Sequence, residues 1–153
     1  MPGRQIVNKY KFVAGQTSPE DALTTASYPA SGSYIDVSGY ETVDVVIHLG
    51  AVHASDTPKF TLKQVDGTTG TEDTISTANC VHTAAATDDD EMIVFHLETA
   101  KLAANHHFIT CAVASVSNTS YGDILYFLGG ARHEPITQTT ALLPTASDYT
   151  HAG

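Results

Sequence analysis

Residues 42–49, Thr-Val-Asp-Val-Val-Ile-His-Leu, put Val43, Val45, Ile47 and Leu49 on one face and Asp44, Val46 and His48 on the other. Alternation with period two belongs to a strand, whose successive side chains point to opposite sides. The pattern returns along the chain. Residues 59–65 set Phe60 and Leu62 on a shared face, and residues 91–98 set Ile93, Phe95 and Leu97 inward against Met92, Val94 and His96 outward. Segments 34–37, 107–116 and 123–128 complete the strong strands, with 74–76 as a short edge strand. No helix between them is long enough for the crossover that parallel strands require. About seven or eight short strands separated by turn signals predict an all-β fold, a single antiparallel β-sandwich of jelly-roll type. The turn signals are Ser38-Gly39, the Asp-Gly-Thr-Thr-Gly run at 66–70 and Gly129-Gly130.

Composition agrees with strands over solvated helices. Charged residues make up only 16% of the 153, against about 25% in an average domain, and Ser and Thr take up the difference. The net charge of −10 argues against nucleic acid as a partner, because phosphate contacts need a clustered basic surface. The charge is also unevenly spread. Residues 1–11 hold Arg4, Lys9, Lys11 and no acid, while the remainder holds four bases and all 17 acids. A basic arm therefore precedes an acidic body. No apolar run approaches the roughly 20 residues of a membrane span, so no membrane partner is expected. The N-terminal stretch lacks the apolar core of a secretory signal, and the expectation is a soluble protein of a reducing cytoplasm. Cys80 and Cys111 lack C-x-x-C spacing. Cys111 alternates with Ile109 and Val113, which predicts a buried, unbridged thiol.

Three regions follow. Residues 1–30 read as an N-terminal arm with one helical turn, in which Ser18 is the N-cap, Pro19 the first helical position and Glu20 and Asp21 the first-turn acids. Residues 31–131 read as the sandwich. Residues 132–153 have no period and hold two prolines, and read as an extended C-terminal arm. Arms of this length become ordered by lying on a neighbour, because ordering costs about 1–2 kcal/mol of backbone entropy per residue.

Chemistry is sparse in the motifs. His106 and His107 are consecutive beside a strand and point to opposite faces, so they cannot share one ion. His48 and His96 sit on different strands without a Cys or carboxylate at zinc-site spacing. The acids Asp88, Asp89, Asp90 and Glu91 diverge and lack the ligand spacing of a calcium loop; a solvated acidic loop that discourages strand-edge pairing is the expectation. There is no G-x-S-x-G elbow. No catalytic residue, cofactor or metal is expected, and the chain reads as a building part and not an enzyme.

The stretches Tyr-Ile-Asp-Val-Ser-Gly-Tyr at 34–40 running into the 42–49 strand, Phe-Thr-Leu-Lys-Gln-Val-Asp-Gly at 60–67, and Ile-Leu-Tyr-Phe-Leu-Gly-Gly-Ala-Arg-His-Glu-Pro at 124–135 carry a resemblance. Their layout resembles the decoration, or cement, proteins of tailed-bacteriophage heads, over about residues 33–65 and 121–135. One departure is Asn-His-His-Phe at 105–108, where those proteins begin the penultimate strand with a basic and aromatic pair. The resemblance implies a β-sandwich made in the host cytoplasm that binds the capsid exterior of the virion and stabilises it. It implies the major capsid protein as partner and self-association as a homo-oligomer, a trimer being favoured, with no catalytic residues. Candidate shell- or neighbour-binding residues are Arg4, Lys9, Tyr10, Lys11 and Phe12 on the first arm, and Arg132, His133 and Pro135 at the start of the second. Two other readings stay open: a head–tail or tail component, and a lectin-like sandwich that binds glycans.

Overall fold

The computed structural model describes residues 10–15, 21–75 and 78–132. Over these the chain forms β1 (Tyr10–Ala14), β2 (Ala22–Leu23), β3 (Ala26–Tyr28), β4 (Ile35–Asp36), β5 (Thr42–Leu49), β6 (Lys59–Val65), β7 (Glu72–Thr74), β8 (Val81–Thr83), β9 (Met92–Glu98), β10 (Phe108–Ala114) and β11 (Ser120–Gly129). One sheet has the order β1-β11-β5-β9 and the other β3-β10-β6-β7, all pairs antiparallel. Three long strands are flanked by two short ones laid end to end: β1 and β2 along β11, β4 and β3 along β10, β8 and β7 along β6. Each sheet is therefore four positions wide. The chain passes back and forth between the sheets, which is the winding of a jelly roll. Among the described residues no helix is long and apolar enough to cross a membrane.

The alternating positions fill the space between the sheets. Val43, Val45, Ile47, Leu49, Phe95, Leu97, Ile124, Tyr126 and Leu128 of the first sheet meet Ile35, Phe60, Leu62, Ile109, Cys111 and Val113 of the second. Tyr126 is fully buried, and its hydroxyl crosses the core to donate to the Tyr28 carbonyl of β3. A buried phenol needs such an acceptor, because an unpaired hydroxyl in the core costs about 1–3 kcal/mol. At the end of the sandwich that holds the β10–β11 connection, buried Asp56 accepts from the backbone N–H groups of Ser117 and Asn118, the Asn118 amide and the Ser117 and Ser120 hydroxyls. Burial alone would raise its pKa. The hydrogen bonds from Asn118, Ser117 and Ser120 outweigh that and hold the carboxyl well below the usual carboxylate range.

The N-terminal boundary differs from the sequence expectation. Residues 10–14 are not arm but a strand of the first sheet, and β2 and β3 also fall within the first 30 residues. Among the described residues the sandwich thus includes strands from Tyr10 onward, ahead of the expected start at residue 31. Ala22–Leu23, placed in the helical turn by its capping pattern, is extended and pairs with Ser120 and Tyr121. A single helical turn has too few hydrogen bonds to persist alone, whereas the extended form delivers Leu23 to the core. Ser18, Pro19 and Glu20 lie outside the described residues, as does the C-terminal arm beyond Arg132. The short edge strand falls at Glu72–Thr74, so that Ile75 is buried beyond its end.

Candidate functional site

The register of the first sheet determines what its outer face presents. In β5 the buried residues are odd-numbered, so Asp44, Val46 and His48 point away from the core. The same alternation turns Tyr121, Asp123, Leu125 and Phe127 of β11 and Met92, Val94, His96 and Glu98 of β9 outward. Pairing stacks these into rows across the strands. Val94 lies opposite Val46, Val46 opposite Leu125, and Leu125 opposite Ala14. One row over, His96 faces Asp44, Asp44 faces Phe127, and Phe127 faces Phe12.

An aliphatic row thus crosses the sheet beside a row that begins polar and ends aromatic. The Phe12 and Phe127 rings meet edge to face with centroids 5.0 Å apart. The Tyr10 ring lies against Gly129, where a Cβ would sit 2.7 Å from it. Tyr10, Asp44, Val46, Val94 and Phe127 line a shallow hollow of about 330 Å³.

Exposure singles this face out. Met92 is 64% exposed, Val94 56%, Tyr121 42% and Leu125 39%, and these are four of the five exposed large hydrophobic residues among those described; the fifth, Val81, is on β8. An antiparallel sheet with one face in water ordinarily turns polar residues to that side, so a grouped apolar face is the departure from the usual pattern here. Its formal charges are the acids Asp44, Asp123 and Glu98, with no Lys or Arg among its outward positions on β5, β9 and β11. The Asp44 carboxylate bonds His96 Nδ1 at 2.5 Å, at an exposed position.

Other features compete with this face. A cavity of about 760 Å³ at the end where β5 begins and β11 finishes is lined by Glu41, Thr42, Glu98, Asn105, His107 and Arg132, among others. Its acids and bases are mixed, and among the described residues no group of three or more His, Cys, Asp or Glu is placed to hold a metal ion. His106 is engaged locally: its ring pairs with the Ala104 carbonyl and with Asp73 at 3.2 Å, and both raise its pKa. The acidic run is also partly spent on structure. Asp88 accepts from the Ala85 N–H and Asp89 from the Val52 N–H, each at 2.7 Å. His48 and His96 share the outer face but are not opposed, since His48 faces Met92 and His96 faces Asp44.

The residues singled out in the sequence divide three ways. Tyr10, Lys11 and Phe12 are in β1, in register with Gly129, Leu128 and Phe127, so they belong to the sheet and not to an arm outside it. Arg132 is exposed at the rim of the larger cavity, its N–H donating to the Gly39 carbonyl. Arg4, Lys9, His133 and Pro135 lie outside the described residues. Sequence reasoning missed the outer face itself. Its signal was present as Val46, Val94 and Leu125 at positions where alternation calls for polar residues, but only the register shows that they adjoin.

No family model matches the chain, and no curated protein matches it. Among solved structures it is similar to a chain from the structure of infectious bursal disease virus, Gx strain. That likeness covers 84% of this chain and 32% of the other at 11% identity, with a TM-score of 0.39. This chain therefore spans about a third of the length of that protein chain.

Proposed function

We propose that this protein is a structural virion component that binds the outside of an assembled tailed-phage capsid and stabilises it, a decoration protein. The observation that carries the reading is the grouping of Met92, Val94, Tyr121 and Leu125 on one outer sheet face. The resemblance of residues 33–65 and 121–135 to the decoration proteins of phage heads supplies the partner, the major capsid protein. In this reading the protein is not an enzyme, and it sits on the capsid exterior as a homo-oligomer, for which the resemblance favours a trimer.

Physical scale supports a shell as the target. Strands about 4.8 Å apart and residues about 3.4 Å apart give the apolar rows a footprint of roughly 15 by 20 Å. That is well under the roughly 800 Å² per partner of a standard stable interface. A weak contact of this size becomes effective when many copies act on one particle or several are joined in an oligomer. The acidic body is also suited to an exterior, since it repels packaged DNA. The aliphatic centre of the face fits protein side chains better than a sugar, which needs aromatic stacking with convergent hydrogen bonds.

Co-sedimentation tests the reading. Purified protein mixed with phage heads lacking their decoration should pellet with the heads and raise the temperature at which they release DNA. Protein that stays in the supernatant with every such head type, or that binds only tails or a glycan array, would refute it.

A further inference from the structure

We infer that the outer face of the β1-β11-β5-β9 sheet docks an aliphatic protein segment flanked by lysine or arginine; under the reading above, on which this rests, that segment belongs to the shell subunit. The centre of the face decides the first half. Val94, Val46 and Leu125 run in one row across three strands, with Met92 at one side and the Phe127 ring at the other. Branched aliphatic groups at such spacing offer shallow pits between rows, which side chains of similar size fill and a flat ring does not.

Charge decides the second half. Asp44 lies within the hollow beside Val46 and Val94, and Glu98 and Asp123 lie at either end of the rows. The titratable groups that share the outer face with Asp44 are His96, whose ring bonds its carboxylate, His48, Tyr10 and Tyr121, together with those two acids. A partner with acids around its own apolar centre would meet like charge here. Like charge also disfavours a second copy, because stacking two such faces opposes acid to acid on chains that each carry −10. A basic border on the partner instead gains attraction at the rim, which speeds encounter and is weakened by salt.

The experiment titrates the full chain, labelled with 15N, with two blocked peptides. One has four aliphatic residues between two pairs of lysines, and the other has the same centre between two pairs of glutamates. The lysine peptide is expected to move the amide signals of Val46, Val94 and Leu125. Its affinity should fall about tenfold or more as salt is raised past the point where the Debye length drops to about 3 Å. The glutamate peptide should bind at least tenfold more weakly, and Asp44→Asn with Asp123→Asn should erase that preference. Val94→Thr with Leu125→Thr keeps strand-forming residues and should abolish binding of both peptides while leaving the melting temperature nearly unchanged.

Equal binding of the two peptides, or signals moving at the larger cavity instead, overturns the inference. So does a dimer seen by sedimentation equilibrium that the Val94→Thr/Leu125→Thr variant loses, because the occupant is then a second copy. A synthetic peptide of residues 1–9 that binds this face more tightly than the lysine peptide also overturns it, in favour of the chain's own N-terminal segment. Undecorated heads that pellet wild type and the double variant equally leave the capsid reading standing and end this one. Selective lysine-peptide binding without binding to any head supports this inference while the capsid reading falls.

Discussion

Truncating Phe12 and Phe127 to alanine, singly and together, measures whether β1 belongs to the sheet in solution. Both rings are half-buried on the outer face and touch edge to face at 5.0 Å. Fully burying a phenylalanine is worth about 1.5–3 kcal/mol, so losing either half-buried ring should cost about 1–2 kcal/mol, part of it the ring contact. An aromatic pair in this geometry adds ~0.5–1.5 kcal/mol beyond its buried area. The double variant should therefore be less destabilised than the sum of the singles by about that amount.

Urea unfolding followed by circular dichroism gives the four free energies, and unchanged slopes would certify a common two-state transition. In a melt, each kcal/mol should appear as roughly 2–4 °C for a domain of this size. Were Phe12→Ala to leave the midpoint unmoved and the cycle to show no coupling, β1 would not be docked on β11. The N-terminal 14 residues would then be arm after all, and the aromatic end of the outer face would not exist.

Asp56→Asn should lower stability at neutral pH by removing a carboxylate that accepts five hydrogen bonds across the 53–56 and 117–120 loops. Because that carboxyl is held below its ordinary value in the folded state, its contribution is complete above pH of about 4 and fades as pH falls below it. The stability gap between wild type and variant, measured by urea titration from neutral to acid pH, should shrink toward low pH; a gap that widens there contradicts the assignment. Cys80 and Cys111 are both buried and unbridged, and burial pushes the Cys111 thiol up to about 12. A disulfide-exchange reagent should accordingly find almost no thiol in native protein and two per chain in denaturant without reductant, whereas immediate native reaction or fewer than two on unfolding would speak against this core.

The parts of the fold that were legible are those whose side chains alternate without interruption. The bounds of β5 and β6 coincide with the sequence reading, because both are central strands with one fully buried face. β1, β2, β3 and β8 went unread for a different reason. They are short, β8 is exposed throughout, and β1, β2 and β3 are ordered by partners far along the chain, as when Tyr10 pairs with Gly129. Local pattern cannot report such pairing, and at 18–23 it pointed toward a helix that the burial of Leu23 overrides. The outer face was hidden in the same way. Val46, Val94 and Leu125 each look like an isolated exposed aliphatic until the register sets them side by side.

The pairing of Tyr10 with Gly129 also gives the molecule a polarity. Directly opposed residues in an antiparallel pair lie about 4.5–5.5 Å apart at Cα, so the chain enters and leaves the described fold at nearly one point, beside Thr42 and Glu98. The 50–58, 84–91 and 115–119 connections crowd the opposite pole. Segments grafted at Tyr10 and at Gly129 would emerge from the same spot, and a short turn from Gly129 back to Tyr10 would close the described strands into a ring. A circular permutant opened among the loops of the far pole would carry both new ends there, turning the unit upside down as a display scaffold while its apolar outer face stayed where it was.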